Sequence, residues 1–314
     1  MDSGENTIQE NELMNNGDKG IFIYAGSDNN IILNDIGNTN LDIIRNSLKN
    51  GMQIPDIIAK AYEIQAKIGF TGYGVQLMGV KDTDIRSNTI SRCVYSGIAM
   101  DGIVIIDSSG GSPDTLYHMP EGIVIELNFM EENLNYDMQF NNAISITIQE
   151  NFMQYSGSGI YGRGLTKFDP IVVGRDSLER GDCIIRENIF SSLRQQDIKK
   201  AAGVLRPADG AIMLMDLQTA DISNNEILNS SAGMYLSNIS ELVVHSNTLN
   251  TLIYRGIDIY NVNSSVVTSN NFSHIGDMGI VVAFPLQPLA GSLENSASIR
   301  NNIFSNITMN AVLC

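Results

Sequence analysis

The sequence predicts an all-β solenoid, a single-stranded parallel β-helix of about ten or eleven coils. Three observations predict it. An asparagine recurs at a spacing close to 23, each time within Ile-x-x-Asn-x-(Ile/Leu/Phe/Met). About nine residues later comes a second unit, Gly-(Ile/Val/Met)-x-(Ile/Leu/Val/Met). The next asparagine follows that glycine by 14 residues, as in Gly20 to Asn34, Gly74 to Asn88 and Gly233 to Asn247.

The asparagine unit comes first in each coil. It reads Ile8-Gln-Glu-Asn11-Glu-Leu13, Ile85-Arg-Ser-Asn88-Thr-Ile90 and Ile148-Gln-Glu-Asn151-Phe-Met153, and continues to Ile299-Arg-Asn-Asn302-Ile-Phe304. Equivalent residues of stacked coils lie directly above one another. An inward corner asparagine can therefore donate its amide to the asparagine of the next coil. A buried amide left unpartnered costs about 1–3 kcal/mol, and repetition of the same residue removes that cost.

The glycine unit follows. Apolar residues at alternate positions give a short strand with one buried face. Each coil is thus expected to hold two short strands joined by two corners. Copies stack as parallel strands about 4.8 Å apart, and the eleven asparagine-phase positions, Gln65 among them, give a rod roughly 50 Å long.

Departures from the period mark loops. Three fall between the glycine strand and the next asparagine, at about 107–121, 164–182 and 284–295. Two fall in the opposite arc, at about 37–50 and 192–209. Residues 55–68 have helical composition with Pro55 at an acceptable first position, so a short helical insertion is expected there. Loops on a rigid scaffold are where binding and catalysis collect.

Composition narrows the function classes. Net charge is −16 and only 17% of residues are charged. An acidic rod disfavours nucleic acid as a partner. No apolar run approaches the roughly 18 residues needed for membrane insertion. Three cysteines, Cys93, Cys183 and Cys314, form neither a disulfide framework nor a metal spacing. Residues 1–314 are read as one β-helix domain from a longer chain, with the terminal coils covered by segments not given, because solenoids need capped ends.

Through these units the chain resembles the right-handed parallel β-helix proteins of the pectin-lyase-like superfamily along essentially its whole length. The resemblance implies a right-handed coil and work on polysaccharide or another glycan, outside the cell or in its envelope. It leaves two function classes open. One is a lyase or epimerase acting on acidic glycans; the other is a non-catalytic surface module that binds glycan or serves as a stalk. A bridging calcium is the cofactor the resemblance allows, although no calcium repeat is present. Asp169-Pro170 matches the start of the uronate epimerase motif, but Ile171 stands where that motif has histidine, so the motif is not carried over.

Residues two and four after each glycine point outward. Down the stack they include Ala99/Asp101, Tyr161/Arg163, Tyr235/Ser237 and Asp258/Tyr260. Such a face suits a sugar chain, with rings stacking on tyrosine and hydroxyls meeting the polar groups. Asp101 and Arg163 border large insertions and are the candidate catalytic pair. Tyr161, Tyr235, Asp258, Tyr260, His118 and Lys167 are the candidate substrate-binding residues. A lyase needs a base and a cation to stabilise an enolate, whereas a hydrolase needs paired carboxylates. The chain has no tryptophan, the strongest sugar-stacking residue, and this favours the non-catalytic class.

Overall fold

The computed structural model describes residues 5–37, 72–107, 114–164, 181–193, 210–284 and 296–314. Three ten-stranded parallel sheets wind through them as ten coils, with one strand of each sheet per coil. The first coil is Thr7–Gln9, Glu12–Met14 and Lys19–Tyr24; the second is Asn30–Ile32, Asp35–Gly37 and Tyr73–Met78. Ten coils at about 4.8 Å make a rod roughly 45 Å long.

Each coil therefore has three strands, not the expected two. The asparagine unit bends in its middle. The residue before every ladder asparagine is left-handed, from Glu10 and Leu33 to Ser269 and Asn301, with φ between 54° and 59°. That turn ends the strand of the first sheet and starts the strand of the second.

The asparagines form the expected ladder. Asn11 Nδ2 donates to Asn34 Oδ1 at 2.9 Å, Asn34 to Asn88 at 3.1 Å, and the chain of bonds runs on through Asn128, Asn151, Asn188, Asn225, Asn247 and Asn270 to Asn302. Each acceptor oxygen also takes the backbone N–H of the preceding asparagine, as in Asn225 N to Asn247 Oδ1 at 2.9 Å.

The direct bond from Asn34 to Asn88 corrects one expectation. The strand Asn30–Ile32 pairs with Asp84–Arg86, and Lys19–Tyr24 pairs with Tyr73–Met78. No coil stands between them, so Gln65 is not a rung. Residues 38–71, Gln65 among them, lie outside the described residues. The helix expected at 55–68 lies outside the described residues.

The core is built from columns. Ile31, Ile85, Ile125, Ile148, Ile185 and Ile222 line the first sheet, and Ile36, Ile90, Met130, Met153, Phe190 and Ile227 line the second; all are fully buried. Each such side chain contributes about 1.5–3 kcal/mol by leaving water. Where one coil lacks a side chain, its neighbour fills the space. Gly162 takes an inward position of the third sheet, and a Cβ there would lie 2.0 Å from the ring of Phe140 one coil before.

A second polar stack runs along the next corner. Cys93 N donates to Asn133 Oδ1 at 3.0 Å, Asn133 N to Ser156 Oγ at 3.1 Å, and Leu193 N to Ser230 Oγ at 3.3 Å. Cys93 and Cys183 are buried thiols, and Cys314 is exposed.

Candidate functional site

The outer face of the third sheet holds most of the predicted site residues. The strand Ser96–Asp101 pairs with Tyr136–Asn141, which pairs with Ser158–Arg163. The register therefore puts Asp101, Asn141 and Arg163 in one column, with Asp101 and Arg163 two coils, or about 10 Å, apart. Tyr161 lies in the adjacent outward column, level with Gln139 and Ala99.

Both members of the predicted catalytic pair have other partners. Asp101 Oδ1 accepts the Gly102 N–H at 2.8 Å and Asn142 Nδ2 at 3.3 Å. Arg163 Nε donates to Asp216 Oδ2 at 3.3 Å. Asp216 Oδ1 in turn accepts Asn238 Nδ2 at 3.0 Å, and Asn238 Oδ1 accepts Asn261 Nδ2 at 2.7 Å. A polar ridge thus borders the face on the side where the loops leave.

The loop exits share that side. Gly102 and Gly164 each follow the third-sheet strand of their coil, two coils apart. After Gly102 the chain forms an antiparallel hairpin, Ile103–Asp107 with Asp114–His118. His118 ends it, half-buried, opposite Ile103; a Cβ on Gly79 would lie 2.9 Å from its Cβ. Residues 165–180, and Lys167 with them, lie outside the described residues.

The remaining predicted residues form a separate group farther along. Tyr235 is level with Asp258, and Ser237 with Tyr260. Arg255 holds this group together: Nη1 reaches both Asp258 oxygens at 3.3 Å and Nε reaches Asp277 at 3.1 Å. Burial pushes the Asp258 carboxyl up from its ordinary value, against the opposing pull of Arg255. Tyr260 is exposed. Met213 stands between Tyr161 and Tyr235 in their shared column, so the two groups are two coils apart.

Three tyrosines on the first group's face escaped the sequence reading. Tyr73 and Tyr95 pack edge to face at 5.1 Å, and Tyr136 packs on Tyr161 with ring centroids 5.1 Å apart. Tyr73, Tyr95 and Ala99 form a small buried cluster outside the main core. Burial pushes the Tyr73 hydroxyl up, with Tyr95 and then Asp101 adding to it. Burial also raises Tyr95, opposed by its hydrogen bond to Gln139. These tyrosines sit one or two residues before the glycine position, outside the +2 and +4 pattern, but their recurrence at that offset was a readable signal.

Among the described residues, no three His, Cys, Asp or Glu side chains are grouped to hold a metal ion. The face can offer a sugar chain aromatic rings, a guanidinium and amide groups.

Comparison with known proteins places the architecture. No curated protein matches the chain in sequence. Among solved structures, the catalytic unit of a thermostable GH87 alpha-1,3-glucanase from Streptomyces thermodiastaticus strain HF3-3 shares 11% identity over 93% of this chain, with a TM-score of 0.45. PfbA, a surface adhesin of Streptococcus pneumoniae, shares 11% identity over 93% of this chain, with a TM-score of 0.43. The chain spans 51% of the glucanase unit and 63% of the adhesin. The family model described as a right handed beta helix region matches residues 73–284. That match covers more than half of the chain, which belongs to the right handed beta helix family.

Proposed function

We propose that this protein holds a glycan chain on the outer face of its third sheet, around Asp101, Tyr161 and Arg163, outside the cell or in its envelope. The observation that carries this reading is the Tyr136–Tyr161 ring pair beside the Arg163–Asp216 pair, on a face from which the Gly102 and Gly164 loops leave on one side. Aromatic faces stack sugar rings, and charged and amide groups meet hydroxyls or carboxylates. Binding is the better supported half of the reading. Asp101 and Arg163 are both engaged by neighbours, and they stand about two coils apart instead of facing each other across one bond.

The test is a panel of acidic and neutral polysaccharides, scored for binding and for turnover through unsaturated-uronate absorbance and reducing ends. Binding without turnover is expected. Tyr161→Ala and Arg163→Ala should each weaken binding tenfold or more, about 1.4 kcal/mol. Folding stability should change by no more than about 1 kcal/mol for Arg163→Ala, since its ion pair is partly exposed. Turnover of any polysaccharide would replace the binding module with an enzyme. Unchanged binding in Tyr161→Ala, Arg163→Ala and Asp101→Ala would refute the site.

A further inference from the structure

One position breaks the column of glycine and alanine in the third sheet. The register sets Gly20, Gly74, Gly97, Gly159, Gly233, Gly256 and Gly279 at one level, with Ala211 in the sixth coil and Ala311 in the tenth. In the fourth coil the residue is Asp137. Side chains at this level turn inward at the corner. A Cβ on Gly97 would meet Asn133 Nδ2 at 3.1 Å and Ile90 at 3.3 Å. Asp137 thus places a carboxyl where its neighbours keep only hydrogen or methyl.

That carboxyl is 0% exposed. Oδ1 accepts Asn133 Nδ2 at 2.8 Å and Ser156 Oγ at 2.6 Å. Oδ2 is buried with no partner. Asn133 and Ser156 belong to the second corner stack, whose preceding member is the buried Cys93 thiol. The charged pair of that corner, Arg92 and Glu132, is exposed, and neither residue contributes to the ionisation of Asp137. A carboxylate with one bare oxygen and no counter-charge is strongly disfavoured in such a place. Burial pushes the group up to about 7, against the two hydrogen bonds that favour its charge.

The neighbouring residue carries this to the surface. Tyr136, immediately before Asp137, packs outward on Tyr161. We propose that Asp137 is a proton-operated switch in the fourth coil: loss of its proton loosens the 133–137 corner and, with it, the Tyr136–Tyr161 pair. The proposal does not depend on what the outer face binds.

The sign follows from linkage. In the unfolded chain the carboxyl ionises near pH 4. Between about pH 4 and 7 the folded state keeps a proton that the unfolded state has lost, so stability falls as pH rises and levels off above about 7. Acid therefore closes the corner and alkali loosens it.

The experiment compares wild type with Asp137→Asn, which mimics the neutral acid, and with Asp137→Gly, which restores the column. Urea unfolding followed by far-UV circular dichroism from about pH 4.5 to 8.5 gives the stability profile. The wild-type unfolding constant should rise relative to Asp137→Asn by about a hundredfold between pH 4.5 and 7.5. Difference infrared spectra should show a protonated-carboxyl band that disappears near pH 7 in wild type and is missing from both variants. Near-ultraviolet tyrosine dichroism should shift over the same interval in wild type alone. Should Asp137→Asn fail to fold, Asp137→Gly supplies the same comparison. Parallel stability profiles, or no carboxyl band lost near neutrality, would overturn the proposal.

Discussion

Replacing Asn247 by leucine tests the ladder where it is driest. Asn247 and its neighbours Asn225 and Asn270 are at most 1% exposed. Its Oδ1 accepts both the backbone N–H and the Nδ2 of Asn225, at 2.9 and 3.0 Å. Its Nδ2 reaches Asn270 Oδ1, Ile222 O and His245 O. Leucine has the same branched shape, is bulkier, and makes none of these bonds. Asn225 Nδ2 would keep Ile185 O and Ser223 O, and Asn270 Oδ1 would keep the backbone N–H of residue 247. The Asn225 backbone N–H would lose its acceptor outright, and Ile222 O would lose its amide donor. One fully orphaned buried donor costs about 1–3 kcal/mol, and the weakened carbonyl adds less, so about 3 kcal/mol is expected. The same change at Asn302 should cost under about 1 kcal/mol, because that rung is partly open to water, which can replace the lost acceptor. Urea unfolding of the two variants, followed by far-UV circular dichroism, gives both numbers. Asn247→Leu within about 0.5 kcal/mol of wild type, or a loss at Asn302 as large as at Asn247, would show that the buried ladder bonds do not hold this corner.

Two further outcomes follow from the backbone and the packing. Leu127 is left-handed at φ 56° and 53% exposed, so Leu127→Gly should relieve strain without uncovering the core and raise stability by about 0.5–1 kcal/mol; a lower melting midpoint would contradict it. Gly162→Ala drives a methyl into the Phe140 ring and should cost about 1–3 kcal/mol, with Phe140→Leu recovering at least part of that loss in the double variant; additive losses would show that the two coils do not share the space.

Much of the fold was legible because stacking imposes the same demand in every coil. A ladder rung needs both a donor and an acceptor at one point, and asparagine provides them, so its column is written plainly in the sequence. The bend before each asparagine was hidden for the opposite reason. Glu10, Leu33, Ser87 and Leu127 all adopt the left-handed turn, although none of them favours it. The stack imposes that conformation, and no residue type announces it, so two strands read as one. Gln65 misled in a related way: spacing alone matched a rung, whereas only the Asn34–Asn88 bond shows which asparagines are neighbours. The second corner stack mixes Cys93, Asn133, Ser156 and Leu193, because serine or asparagine can serve as acceptor and an apolar residue can replace either.

The candidate site was legible as columns but not as contacts. Alternation fixed which residues face outward, and the period fixed their order along the rod. Partners across coils depend on side-chain reach, and Arg163 turns to Asp216, 53 residues away, while Asp101 turns to Asn142. In a solenoid every inward column is committed to packing or to the ladder, so specific chemistry has to come from departures. Asp137 in a column of glycine and alanine is one departure, visible when Tyr136-Asp-Met-Gln-Phe140 is set against Ser96-Gly-Ile-Ala-Met100. The tyrosines crowded before the glycine position of coils two to four are another. Both fall on coils two to four, beside Asp101 on the third coil and next to Arg163 on the fifth. An independent repeat unit would gain nothing from sharing coils with its neighbours' exceptions. A surface that recognises a ligand requires that sharing, because its groups must converge within the span of one bound molecule.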